Sequence, residues 1–307
     1  MKNVIAIVGP TAIGKSTLAQ SLAANFKIEV INADSRQIFR FMDIGTAKPG
    51  ADAREIVPHY LFDIVNPDQQ FSVAIYQQEA WRLIQKIRSR HGIPVLVGGT
   101  GLYVWATLEK WEIPAIAPNL DFRLLLEKKA RQEGHAVLYD ELKKVDPASA
   151  KRIAATNVRR IIRALEIYYE SGRQVPVDKR SLRSSENRPL IIGLTMPRKN
   201  LYEIIDKRVD LMINNGLVDE VKSLFERGYG MDLPSMSGIG YREIGMYLKG
   251  ENSLEDAIAQ IKQRTHNLAR KQYAWFKLND SRIKWFDVEK DIKDNIEKIK
   301  MIVREYL

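Results

Sequence analysis

The chain has 307 residues, 45% of them hydrophobic, which suits one large α/β domain or a core domain with a small companion. It has no cysteine, which excludes disulfides, iron–sulfur clusters and thiolate zinc sites and fits a reducing, cytoplasmic setting, and its four histidines (His59, His91, His135, His266) show no metal-ligand spacing. The net charge of +10 marks either a polyanionic partner or a generally basic protein; no segment reaches the roughly 18 apolar residues of a membrane span, so no membrane partner is expected.

Val4–Val8 reads as a buried strand rather than a signal segment, because a phosphate-loop motif follows at once. Gly9-Pro10-Thr11-Ala12-Ile13-Gly14-Lys15-Ser16 fits G-x-x-x-x-G-K-[ST], and an amphipathic helix, Lys15–Phe26, comes after it. In that context the loop N–H groups converge on one anion and the helix N-terminus adds positive potential. Lys15 neutralises phosphate oxygens and Ser16 helps to hold magnesium.

A second strand, Glu29–Ala33, ends at Asp34-Ser35-Arg36-Gln37. Ligands of an open parallel sheet sit beyond the carboxyl ends of its strands, so Asp34 and Thr100 are expected to face the bound anion. Asp34 either orients magnesium, accepts a proton from an attacking group, or caps the helix that follows. Leu61–Val65 is read as a third strand, Val73–Arg90 as a helix, and Pro94–Val97 as a fourth strand. The last runs into Gly98-Gly99-Thr100-Gly101, where a nucleotide hydrolase or kinase would carry a magnesium-placing carboxylate. That substitution argues for a bound diphosphate put to another use, such as leaving.

Between about Asp121 and Ser185 the alternation stops and only helical patterns remain, at Phe122–Gln132, Ala136–Val145, Pro147–Ala155 and Val158–Ser171. Strand character resumes at Leu190–Thr195 and again at Lys284–Phe286. The expected fold is therefore α/β: a phosphate-loop NTPase-like parallel sheet with helices on both faces, formed by residues 1–120 and 186–307, with an all-helical insertion at 121–185.

Asn200–Asn215 reads as a helix with an apolar stripe of Leu201, Ile204, Ile205 and Met212, and Arg208 falls in the middle of it. A guanidinium there needs an anion, either an internal aspartate or a substrate diphosphate. From Lys151 to Arg183 there are nine basic and three acidic residues. Within this stretch Val158, Ile161, Ile162, Leu165 and Tyr169 mark the buried stripe of a helix, and Arg159, Arg160 and Arg163 lie off it, either as a solvated face or as contacts to an RNA backbone. Leu254–Lys277 is helical and carries basic residues beside Tyr273, Trp275 and Phe276, the last two read as core.

In the order GPTAIGKS (9–16), NADSRQIF (32–39), MDIGTAKP (42–49), VPHYLFD (57–63), VGGTGLY (97–103), DPASAKRI (146–153), NVRRIIRALEIY (157–168), GLVDEV (216–221) and GIGYREI (238–244), the chain resembles the tRNA dimethylallyltransferases. The resemblance implies a kinase-like phosphate-loop core with a helical insertion that grips the anticodon stem-loop of tRNA, and a monomer. It implies dimethylallyl diphosphate held by Thr11, Gly14, Lys15, Ser16 and Arg208 with Mg2+, and Asp34 as general base. It implies tRNA contacts at Asp34, Ser35, Arg36, Gln37, Thr100, Arg123, Arg159, Arg160 and Arg163, with the adenosine 3′ of the anticodon as target. Ile13, Phe39 and Phe41 depart from the family pattern, where a small polar residue, tyrosine and glycine are common. Without cysteine the chain resembles the shorter bacterial type, which has no zinc-binding tail. The competing expectations are prenylation of free AMP or ADP, a small-molecule kinase on the same fold, and a non-catalytic RNA-binding module.

Overall fold

The computed structural model describes residues 3–114, 116–172, 188–289 and 292–307, with only the backbone for 292 and 293. The chain divides into two compact units, Met1–Leu108 with Leu182–Leu307, and Glu109–Ser181. The first unit opens with β1 (Ile5–Val8), α1 (Lys15–Ala23), β2 (Ile28–Asn32), α2 (Ala51–Ile56), β3 (His59–Tyr60), α3 (Val73–Ser89), β4 (Ile93–Val97) and α4 (Gly101–Leu108). The second contributes α5 (Leu120–Glu133), α6 (His135–Val145), α7 (Pro147–Arg152) and α8 (Val158–Ser171). The first then resumes with β5 (Leu190–Thr195), α9 (Arg198–Asn214), α10 (Leu217–Glu226), α11 (Tyr241–Leu248), α12 (Leu254–Trp275), β6 (Ile283–Asp287) and α13 (Ile292–Tyr306).

The six strands form one sheet in the order β3-β2-β4-β1-β5-β6. All pairs are parallel; Ile5 of β1 faces Val95 of β4 on one side and Leu190 of β5 on the other. β1 is buried along its whole length, so both faces of the sheet are covered. On one face Ile5, Ile7, Val95 and Ile192 pack against Leu18 and Leu22 of α1, Leu201 and Ile205 of α9, and Val303 of α13. A second cluster joins the segment Ile38–Met42 to α9, α10, α11 and α12 through Val209, Leu217, Val221, Tyr241 and Ile261. Among the described residues no helix is long and apolar enough to cross a membrane.

The predicted third strand, Leu61–Val65, is not a strand. β3 stops at Tyr60, because Leu61 and Asp63 take φ of 63° and 55°, and only an isolated bridge from Phe39 to Val65 remains. Left-handed residues break the pleat that an alternating apolar run would otherwise form.

In the helical unit Leu126, Leu138, Leu142, Ile161 and Leu165 build a separate core. Side chains cap three of its helices: Asn119 accepts from the Phe122 N–H, Asp146 from Ser149, and Asn157 from Arg160. The unit starts at Glu109, ahead of the boundary at 121 drawn from periodicity, because Ile116 and Asn119 bond to side chains of α8. Tyr169, expected in the buried stripe of α8, is 51% exposed and donates its hydroxyl to Glu141. The stretch 173–185 of the expected insertion, with its basic residues Arg173, Lys179, Arg180 and Arg183, lies outside the described residues.

The glycines after β4 have a packing role. A Cβ on Gly98 would lie 2.2 Å from the carbonyl carbon and oxygen of Ala33, and one on Gly101 would lie 2.3 Å from the Trp275 ring. Gly98→Ala is expected to push β2 and β4 apart at their carboxyl ends and to destabilise the protein by about 1–3 kcal/mol. The measurement is the urea midpoint at unchanged m-value; an unchanged midpoint would mean that the strand ends do not need this approach.

Candidate active site

The phosphate loop joins β1 to α1 at the middle of the sheet, between β4 and β5. Gly9 and Gly14 take φ of 143° and 91°, values that side chains other than glycine rarely adopt. Ile13, the departure from a small polar residue, is 3% exposed and packs into the sheet core. Lys15 folds its ammonium onto the loop's own carbonyls, Pro10 O at 2.6 Å and Gly9 O at 3.2 Å. Burial, helped by the charge of Arg208, pulls its pKa down to about 8 despite the nearby Asp34 carboxylate.

The Asn32 side chain shapes the end of β2. Its Oδ1 accepts from the Asp34 N–H, and its Nδ2 donates to Asp34 O and Leu61 O. Asp34 Oδ1 then accepts from the Arg36 N–H at 2.8 Å, a local turn rather than a helix cap, and among the described residues Oδ2 takes no hydrogen bond. Thr100 Oγ1 accepts from the Ser35 N–H at 3.0 Å, which ties the two loops together. Arg36 donates to Pro234 O and Ser235 O, and Gln37 to Thr46 O and Ala47 O. Both side chains therefore order neighbouring loops.

Two cavities meet here. One, of about 330 Å³, is lined by Thr11–Thr17 together with Gln37 and Ala47, and is mainly polar in its residues. The other, of about 410 Å³, is walled by apolar groups such as Met212, Ile239, Ile261, Leu268 and Trp275. Six residues line both: Thr11, Ala12, Asp34, Thr46, Arg208 and Gln272. Trp275, expected in the core, is 38% exposed on this wall, while its neighbour Phe276 is fully buried. Arg208 also lines a third cavity with Lys48 and Leu211.

On α9 the buried stripe is Leu201, Ile205 and Val209; Ile204 turns toward the phosphate-loop cavity beside Arg208. Burial lowers the Arg208 pKa and Asp34 raises it, yet among the described residues the guanidinium has no ion-pair partner within 4 Å. Arg36 shows the same balance of burial against Asp34. One carboxylate thus stands among three cations, Lys15, Arg36 and Arg208, and the site carries a local positive surplus.

Several residues that hold this arrangement carried no role in the sequence reading. Gln272 of α12, 6% exposed, accepts from the Thr11 N–H at 2.8 Å and donates to Gly99 O at 3.2 Å. Glu220 accepts from the N–H groups of Asp43, Ile44 and Gly45 and from the Tyr241 hydroxyl. The Lys48 ammonium reaches Phe39 O and, at 2.6 Å each, Asp43 and Asp63; Arg54 completes the Asp63 pair at 2.8 Å. These bonds explain the residue types in MDIGTAKP and VPHYLFD. The signal was present as motif identity, but its partners are distant in sequence. Phe41, where the family favours glycine, keeps a left-handed φ of 65° and sets its ring beneath the Arg227 guanidinium at 4.4 Å and beside Tyr229 at 6.4 Å. Phe39 is buried in the second core cluster.

The four arginines of the helical unit fall into two pairs. Arg123 makes a two-pronged contact with Glu166, Nε to Oε1 at 2.8 Å and Nη2 to Oε2 at 2.7 Å. Arg163 bonds the same carboxylate and Ile116 O, and the Asn119 N–H adds another bond. Burial lifts the Glu166 pKa, but the bonds from Arg123, Arg163 and Asn119 bring it below the ordinary value. Arg159 and Arg160 are exposed on α8.

A parallel sheet with a phosphate loop at its centre, no carboxylate after β4, and a second cavity sharing Asp34 and Arg208 with the loop defines an α/β phosphate-loop protein built to hold an anion against a second ligand. The chain belongs to the IPP transferase family, whose model matches residues 37–279. It is 47% identical to the tRNA dimethylallyltransferase of Roseiflexus castenholzii over 98% of this chain and 97% of that protein. It is 44% identical to that of Natranaerobius thermophilus, over 100% and 93%. Among solved structures it matches the tRNA isopentenylpyrophosphate transferase of Bacillus halodurans with a TM-score of 0.74 and 41% identity, over 100% of this chain and 97% of that one. A eukaryotic dimethylallyltransferase acting on tRNA matches with a TM-score of 0.85 and 28% identity, over 100% and 79%.

A diphosphate bound in the loop would raise the lowered Lys15 pKa, so a proton would be taken up on binding wherever the free ammonium is partly deprotonated. Affinity for inorganic pyrophosphate is therefore expected to fall above pH 8, by up to about tenfold per pH unit, relative to a Lys15→Arg variant in the same buffers. Calorimetric titrations across pH 6.5 to 9.5 (roughly the range that brackets the free value) measure this. Parallel pH profiles for the two proteins would show that Lys15 stays charged throughout.

Proposed function

We propose that this chain transfers the dimethylallyl group of dimethylallyl diphosphate to the exocyclic amine of the adenosine 3′ of the anticodon in tRNA, releasing diphosphate. The observation that carries the reading is Asp34, which lines both the phosphate-loop cavity and the apolar cavity beside it. The names of the relatives, tRNA dimethylallyltransferases, support both the donor and the acceptor.

The amine lone pair is delocalised into the purine, so nitrogen must be aimed at the allylic carbon and relieved of a proton as it attacks. In this reading the N–C bond forms as the C–O bond to diphosphate breaks. Asp34 takes the amine proton, and Thr100, bonded to the loop that carries Asp34, helps to receive the base. Lys15, Arg208 and the N–H groups of the loop from Ala12 to Ser16 stabilise charge on the departing diphosphate. Arg208 suits this role because it is partly buried and, among the described residues, has no ion-pair partner within 4 Å. The Ser16 hydroxyl lines the phosphate-loop cavity and, together with substrate oxygens, offers a donor set that fits Mg2+, which keeps most of its water and binds through one or two protein oxygens. Bound there, Mg2+ would neutralise diphosphate charge. The target base must leave its stack, at a cost of a few kcal/mol that is least in a loop. Exposed arginines such as Arg159 and Arg160 offset it through backbone contacts. A mononucleotide acceptor would need neither those arginines nor the +10 charge.

Labelled dimethylallyl diphosphate, offered with tRNA, AMP and ATP in parallel, is expected to label tRNA alone. Label in AMP would replace this reading with adenylate prenylation. Asp34→Asn is expected to reduce transfer by about 100-fold or more, in the range of a lost general base, while tRNA affinity stays within about threefold. Transfer near the wild-type rate would remove Asp34 as the base. Arg159→Ala is expected to flatten the salt dependence of tRNA binding by about one phosphate contact without changing thermal stability. Arg123→Ala, in contrast, leaves Glu166 buried with less compensation and is expected to cost about 3 kcal/mol of stability. Equal stability of the two variants would mean that Glu166 does not hold its unit together.

A further inference from the structure

Gln272 stands where an amphipathic helix should be apolar. The buried residues of α12 are Ala257, Ile261, Ala269 and Gln272, a stripe at helical spacing, and in that stripe Gln272 is polar. A buried amide is costly unless it is bonded. Here both of its atoms are bonded, and both partners are backbone groups of the two loops that frame the site: the Thr11 N–H of the phosphate loop and Gly99 O of the loop after β4. Among the described residues no other side chain hydrogen-bonds both loops. The fit is tight, since a Cβ on Gly99 would lie 2.0 Å from Gln272 Nε2.

The bonds continue beyond Gly99. Thr100 follows it directly, donates its N–H to Ala33 O, and accepts from the Ser35 N–H through Oγ1. Ser35 adjoins Asp34. A continuous path of hydrogen bonds and peptide links therefore runs from the cradle of the leaving group, through one glutamine, to the carboxylate and hydroxyl on the acceptor side.

We propose that Gln272 is a positioning residue, a strut that fixes the phosphate cradle relative to Asp34 and Thr100 and so sets the distance between prenyl donor and acceptor base. This rests on the prenyl-transfer reading above. Two ligands held by separate loops react only when their reacting atoms are about 3–3.5 Å apart, and a 1 Å misplacement costs on the order of 100-fold in rate. A side chain bonded to both loops controls that distance through the loops themselves. Its loss should therefore appear in turnover rather than in the binding of either partner alone.

The test is a double-mutant cycle between Gln272→Met, which keeps length and removes both hydrogen bonds, and Thr100→Ala, at the other end of the path. Single-turnover transfer to a tRNA anticodon stem-loop is measured with saturating dimethylallyl diphosphate. Separate titrations give the affinities for inorganic pyrophosphate and for the stem-loop. Each single variant is expected to slow transfer by about 10- to 100-fold, and the double variant to fall within about threefold of the slower single one, because one positional unit can be broken only once. Both affinities of Gln272→Met are expected to stay within about threefold of wild type. Losses that multiply in the double variant, or a loss of pyrophosphate affinity that accounts for the slower transfer, would overturn the strut. Should Gln272→Met fail to fold, Gln272→Glu takes its place in the cycle: it keeps the acceptor for Thr11 and loses the donor to Gly99, and the same criteria apply. A wild-type protein that transfers no prenyl group would sink the functional reading itself, whereas an active wild type with multiplicative losses would sink the strut alone.

Discussion

The site depends on how closely α12 approaches the carboxyl ends of β2 and β4. Gly98 lies against the Ala33 carbonyl, Gly99 against the Gln272 amide and Gly101 against the Trp275 ring, each too close for a side chain. The stretch 99–101 is therefore a seat for α12, which delivers Gln272 and Trp275 to one cavity wall. A carboxylate at position 98, as in phosphoryl-transfer enzymes, would collide with the backbone of β2. The packing that excludes it also leaves Asp34, at the end of β2, as the acidic group that faces the phosphate loop.

Electrostatics follow from that geometry. Burial alone would discourage charge on Lys15, Arg36 and Arg208, and Asp34 opposes the loss on each of them. One carboxylate cannot balance three cations, so the surplus awaits an anion. It is concentrated around the phosphate-loop cavity, which Lys15 and Arg208 both line. Glu220 and Lys48 act at a distance from this charge. They pin the segment Asp43–Lys48, which provides Thr46 to both cavities.

Much of this was legible in the sequence where the signal is local. The phosphate loop, five of the six strands and the helices α1, α3, α9 and α12 follow from apolar runs, helical periodicity and turn residues. Arg208 announced itself by helical phase. Leu61–Val65 misled because its composition suits a strand, while the left-handed backbone at Leu61 and Asp63 is imposed by bonds to Asn32, Lys48 and Arg54. Trp275 misled because aromatic residues at helical spacing ordinarily face a core. Gln272 could not be read at all: a polar residue in an apolar stripe looks like an interruption, and its partners lie 261 and 173 positions away.

The arginines of the helical unit show why a charge census misjudges function. In sequence Arg123, Arg159, Arg160 and Arg163 are equivalent members of a basic surplus. In the structure a single acid, Glu166, fully buried and three residues after Arg163, takes Arg123 and Arg163 for itself. Those two guanidiniums hold α5 and the segment before it against α8, and Glu166 balances one of their two charges. Arg159 and Arg160, which have no such partner among the described residues, keep theirs in solvent. A phosphate backbone would meet the exposed pair first, because displacing Arg123 or Arg163 from Glu166 would strand a buried carboxylate. The same residue type is thus tied to a buried acid at two positions and solvent-exposed at two others, and burial of one glutamate makes the distinction.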